Sequence, residues 1–176
     1  MKTSRAFGHA LLAAGILFLF AGITQAATVK ALVSSVTGNV EFAPPGSTSF
    51  SPLKKGQELP VGTTIRTGDD GKAIIVTTPG SAIEVGNGSN LKINALAFSK
   101  TGGTVTEQKA HLELTSGVVS ALIDHNRPKV TDFTIQTPQG AAAARGTFYA
   151  VCVTHGKTYV SVKEGKVGAA ASGGGI

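Results

Sequence analysis

The chain has 176 residues, enough for one hydrophobic core, and its single cysteine, Cys152, excludes an intramolecular disulfide. Its formal charge of +6 is spread over isolated lysines and arginines, with Lys54-Lys55 the only adjacent pair. There is no basic stripe interleaved with aromatics, so the composition argues against a nucleic-acid partner and leaves weak attraction to an anionic wall or membrane surface open.

In chain order, the first feature is an export signal. Lys2 and Arg5 form a positive start, Ala10 to Ile23 is an apolar run, and Thr24-Gln25-Ala26 supplies small residues for cleavage after Ala26. The run is shorter than the roughly 20 residues a spanning helix needs, so no stable membrane span is expected after cleavage, an uncleaved membrane anchor being the alternative. The predicted organisation is a signal-peptide helix at 1–26, one domain at 27–170 and a flexible Gly-rich tail at 171–176. Removal of Lys2 and Arg5 lowers the formal charge from +6 to +4.

Short β-rich runs separated by Gly, Pro, Asn or Asp then fill the chain. Ala31 to Phe42 reads as two strands around Gly38, and Pro44-Pro45-Gly46-Ser47 as a loop. Leu53 to Gly62 is crowded with turn residues around Leu59. Strands are predicted at Thr63 to Thr67, at Lys72 to Thr78 and at Ser81 to Val85, separated by the turns Asp69-Asp70-Gly71 and Pro79-Gly80. Leu91, Ile93 and Ala95 alternate with Lys92 and Asn94, as in a half-buried strand. Ser99 to Gln108 is polar and predicted to be an exposed loop or hairpin. His111 to Ile123 reads as two strands around Ser116-Gly117, and Asp124 to Thr131 as a polar connection.

The segment Phe133 to Val153 (FTIQTPQGAAAARGTFYAVCV) is the most distinctive. Ala141 to Ala144 is too short to nucleate a helix and fits a strand or tight crossover of small residues. In the run after Thr147, Tyr149, Val151 and Val153 fall on one face and Phe148, Ala150 and Cys152 on the other. Both faces are apolar, which predicts a central strand covered on both sides. Cys152 then reads as an inert buried thiol, with an intermolecular bridge or reactive thiol as the alternative. Arg145, at the strand entrance, either pairs with a carboxylate, caps carbonyls, or touches a partner. Thr158 to Lys163 is a strand, Glu164-Gly165-Lys166 a turn, and Val167 to Ala170 a final strand. No segment keeps a helical period over three turns, so the fold class is all-β, with about ten to thirteen short strands in one domain.

No catalytic constellation is visible. His111, His125 and His155 lie on separate segments without the spacing of a metal site. Asp124-His125 has no Gly-x-Ser-x-Gly elbow to complete a triad. Asp69-Asp70-Gly71 lacks the further ligands of a calcium loop, and Gly86-Asn87-Gly88-Ser89-Asn90 precedes a strand rather than a helix. The expectation is a non-enzymatic protein with no catalytic residue, metal or cofactor.

An ordered set of motifs resembles the FecR domain of bacterial periplasmic proteins. Val36 to Val40, then Leu53 to Gly56, Leu59 and Gly62 leading into Ile65-Arg66-Thr67, look like its opening. Lys72 to Ile93 resembles its strand, glycine turn and strand, and Leu114 to Val119 its leucine–glycine–valine step. The most specific match is Phe133-x-Ile135-x-Thr137-Pro138, then Arg145-Gly146-Thr147, with Tyr149 where the family more often has Phe. Val160, Val162, Glu164-Gly165 and Val167 resemble its close. The resemblance implies an exported all-β domain, similar to a twisted solenoid-like or sandwich-like stack of short strands. It implies a mainly structural role for Thr137, Pro138, Arg145, Gly146, Thr147 and Tyr149, with Arg145 the candidate partner contact. Relatives that relay iron-transport signals carry a cytoplasmic segment controlling a sigma factor. Only about nine residues precede the apolar run here, so that relay function is not expected to carry over. The expected partner is an envelope protein or a glycan in the periplasm or at the cell surface. The alternative is a structural envelope or matrix β-protein that self-associates through its sheet edges.

Overall fold

The computed structural model describes residues 29–172, and no helix occurs among them. The strands are β1 (Ala31–Thr37), β2 (Val40–Ala43), β3 (Ser51–Pro52), β4 (Glu58–Leu59), β5 (Thr64–Thr67), β6 (Lys72–Thr78), β7 (Ser81–Val85), β8 (Asn90–Thr101), β9 (Thr104–Ile123), β10 (Thr131–Thr137), β11 (Gly140–Ala144), β12 (Phe148–Thr154), β13 (Lys157–Glu164) and β14 (Val167–Ala171). The class is all-β, as the sequence predicts. The signal segment and residues 173–176 of the predicted tail lie outside the described residues. The two-residue strands β3 and β4 went unforeseen, because two residues show no alternation.

The strands form two ladders that share β9. One runs β4-β1-β6-β7-β9-β12-β13, the other β3-β2-β5-β8-β9-β10-β11-β14. All pairs are antiparallel except β9 with β10, whose register runs from Thr131↔Gln108 to Gln136↔Glu113. The predicted pair of strands around Ser116-Gly117 is one continuous strand that changes ladder there. Up to Ser116 it pairs with β8, and from Gly117 to Ile123 with β7 and β12. Gly117 has a φ of 87°, in the left-handed region, and a Cβ on it would run into Ser89. The Ser89 hydroxyl donates to Gly86 O at 2.7 Å and accepts the Val118 N–H at 2.9 Å, while the Thr67 hydroxyl donates to the same carbonyl at 2.6 Å. This buried network fixes the crossing.

The inward faces of both ladders share one core. Val33, Ile75, Ile83 and Val119 come from the first, and Ile65, Leu91, Leu112 and Ile135 from the second. Each such side chain contributes about 1.5–3 kcal/mol by leaving water. The sequence expectation for β12 needs correction. It has neighbours on both edges, β9 and β13, but only Tyr149, Val151 and Val153 are buried. Phe148, Ala150 and Cys152 are half-buried on an outer face that also carries Leu122, 60 % exposed. No further layer covers that face among the described residues, so Cys152 is not a buried core thiol.

Candidate functional site

β10 and β11 form a hairpin whose two-residue turn, Pro138-Gln139, follows from the φ that proline presets. The Thr137 hydroxyl donates to Gly140 O at 3.1 Å and accepts from the Thr158 hydroxyl at 2.9 Å, tying this turn to β13. β11, built of small residues, lies between β10 and β14, with Ala142 opposite Ile135 on one side and Ala169 on the other. At its far end, Arg145-Gly146-Thr147 carries the chain from the second ladder to the first. Five strand residues, roughly 17 Å, therefore separate Thr137 and Pro138 from Arg145, Gly146 and Thr147. The sequence motif is two turns at opposite ends of one strand rather than one site.

The Arg145 end is where chemistry converges. Gly146 has a φ of 93°, and a Cβ there would sit 2.5 Å from His125 Cα. Thr147 is 3 % exposed; its hydroxyl donates to Lys166 O at 3.1 Å, and its carbonyl accepts the Ile123 N–H at 3.0 Å. It thus joins the end of β9 and the start of β12 to the turn between β13 and β14. Tyr149 is buried behind them with its hydroxyl unpartnered, and burial pushes the phenol pKa up.

An open depression of about 500 Å³ lies over this junction, lined by Asp132, Phe133, Arg145, Gly146, Thr147 and Lys166 among others. Most neighbouring charges are engaged. Asp132 pairs with His111 Nε2 at 2.8 Å and lies 4.0 Å from Lys109 Nζ. Asp124 accepts the Asn126 backbone N–H at 2.9 Å and its amide at 2.7 Å, with Arg127 at 3.6 Å. The Asn126 backbone hydrogen bond, aided by its side chain and Arg127, holds the Asp124 carboxyl below its ordinary value. Arg145 and Lys166 are exposed, and among the described residues neither side chain has a carboxylate or hydrogen-bond partner. Lys166, like the Ser89 network, went unnoticed in the sequence. Its only signal is that a turn following a strand returns it beside the Arg-Gly-Thr entrance.

A second depression, about 610 Å³, lies at the opposite end and is lined by Gly117, Pro138, Gln139, Cys152 and His155 among others. It offers turn backbone and polar side chains, with no lysine, arginine or carboxylate in its lining. Among the described residues, no three His, Cys, Asp or Glu side chains group into a metal-ion geometry. Chemically, the Arg145 end can hold an anionic group in a solvated, open setting.

The family model described as FecR protein matches residues 63–168, more than half of the chain. It spans β5 to β13 and enters β14; the earlier motifs, from Val36 to Gly62, lie ahead of it. No curated protein and no solved structure matches the chain.

Proposed function

The chain belongs to the FecR protein family, and on that premise we propose that it is an exported, non-enzymatic binding module of the periplasm or cell surface, whose Arg145–Lys166 depression takes acidic groups of an envelope protein or a glycan. The observation that carries this reading is the pair of exposed cations facing one depression without an acidic partner among the described residues. The export reading is supported by Lys2, Arg5, the apolar run Ala10 to Ile23 and the small residues before Ala27.

The physics favours a polymeric partner. Two unit charges 4 Å apart in water attract by only about 1 kcal/mol, so one acidic group on an exposed pair binds weakly. Repeated acidic groups on a chain rebind at high effective concentration and turn weak contacts into usable affinity. Titration of the exported protein with a polycarboxylate such as polygalacturonate, with neutral dextran as control, tests this. Binding of the former that weakens steeply with salt supports it; equal response to both polymers, or none, refutes it.

The second reading is a structural matrix protein. It is favoured by one observation, the unpaired outer edges of β13 and β14 among the described residues. It requires assembly without any added ligand.

A further inference from the structure

The two ends of the double sheet are finished differently. At one end, β3 and β4 are two residues each, Pro52 stands in β3, and Leu53 and Leu59 fold over the core. Short edges bearing proline resist further strand pairing. At the other end, β13 pairs only with β12 and β14 only with β11 among the described residues. β13 is eight residues long and almost wholly exposed. Its Val160 and Val162 lie on the face that carries Val151 and Tyr149 into the core, yet are 36 % and 44 % exposed. β14 beside it, Val-Gly-Ala-Ala-Ala, carries no charge. Edge strands are normally blunted by charges or covered; β13 has its charges, Lys157, Lys163 and Glu164, only at its ends.

The geometry of β13 restricts what fits against it. His155 (φ 47°) and Gly156 (φ 69°) form a two-residue turn with positive φ at both positions, closed by Thr154↔Lys157. That closing pair is hydrogen-bonded, so the backbone groups of Lys157, Tyr159 and Ser161 point to β12, and those of Thr158, Val160 and Val162 point outward. A two-fold axis normal to the sheet keeps each side chain on its own face. Centring it on Val160 sets Lys157 against the second copy's Lys163, a like-charge pair. Centring it on Ser161 sets Val160 against the second copy's Val162 in both directions, with their outward N–H and C=O groups paired. Tyr159 then lies against the second copy's Lys163, an aromatic–cation contact.

We propose that β13 is a homodimer interface, pairing antiparallel with β13 of a second copy about a two-fold axis at Ser161, so that the core at Val160 and Val162 continues across both molecules. This pairing does not depend on the acidic-ligand reading, because it uses no residue of the Arg145 depression.

The test uses the exported protein purified from cells expressing the full chain. Light scattering across a concentration series is expected to give twice the chain mass for the wild type and the chain mass for Val160→Pro. The proline removes an N–H that points away from β12, so the circular-dichroism spectrum of the variant should stay that of the folded protein. In a Cys152→Ser background, Ser161→Cys is expected to form a disulfide dimer under air. Residues facing each other across the axis as a non-hydrogen-bonded pair have Cα atoms about 4.5 Å apart, within disulfide reach. Val160→Cys in that background should not crosslink to itself. A wild type that stays monomeric overturns the proposal, whether residues 173–176 or a strand of another protein covers the edge instead. So does a dimer that survives Val160→Pro, or one in which Val160→Cys crosslinks and Ser161→Cys does not.

Discussion

At the residue scale, glycine and hydroxyl side chains decide where the chain crosses between ladders. Gly146→Val combines a left-handed φ with a Cβ driven against the His125 backbone. Left-handed strain and overpacking together cost about 3 kcal/mol or more, which lowers the melting temperature by roughly 6–12 °C. Thermal unfolding followed by circular dichroism checks this; an unchanged transition would mean that the crossing tolerates a side chain. The need for Gly146 was legible in the sequence, because a glycine between Arg145 and an apolar strand marks a constrained turn. The need for Gly117 and Ser89 was not, since their contact joins segments 28 residues apart. Asp124 gives a pH prediction. Its folded pKa is lowered, so its contribution to stability is present above the ordinary value of 3.8 and is lost as pH falls through the folded value. The Asn126 amide resonance should therefore titrate with a midpoint below 3.8, and Asp124→Asn should abolish that titration. A midpoint at or above 3.8 would contradict the hydrogen-bonded geometry.

At the element scale, β9 organises the molecule. It pairs with β8 and β10 in one ladder and with β7 and β12 in the other. Gln108, on its first half, is 1 % exposed; its Nε2 lies 2.9 Å from Thr78 Oγ1, 3.0 Å from Pro79 O and 2.8 Å from Ser81 Oγ. It holds the β6–β7 turn from across the core. Gln108→Ala leaves that turn without its donor and should cost about 2 kcal/mol, with faster hydrogen exchange in β6 and β7 near Pro79-Gly80. Exchange that speeds up equally everywhere would mean a purely global effect. Bounding turn residues revealed β6 and β7, and β8 was revealed by period-two alternation, which reads a strand with one buried face. That alternation misjudged β12 because apolar residues on both faces read as double burial, whereas the second face is left half-exposed. Polarity marked Ser99 to Gln108 as an exposed loop or hairpin; the segment is the β8–β9 hairpin, but Gln108 is buried in it, which a polar composition does not reveal.

At the scale of the whole molecule, the fold is one core between two ladders, with the Arg145–Lys166 pair at one end and, among the described residues, the long open edge of β13 at one side. The family was legible because the motif order survives although no single motif is specific. The depression at Arg145 was only half legible. Arg145 lies within the motif, but Lys166 reaches it through the pairing of β11 with β14. That cation pair is the point on which the binding reading stands. The most direct measurement places a photo-crosslinking side chain at Gly168, on the rim of the depression, in intact cells. It compares wild type with Arg145→Ala/Lys166→Ala after cell fractionation. Both alanines are exposed substitutions and should change stability by less than about 0.5 kcal/mol. A specific envelope adduct is expected in the periplasmic or surface fraction, lost in the double variant while the protein stays folded. An adduct of equal yield in the double variant, or a protein confined to the cytoplasm, would contradict this expectation.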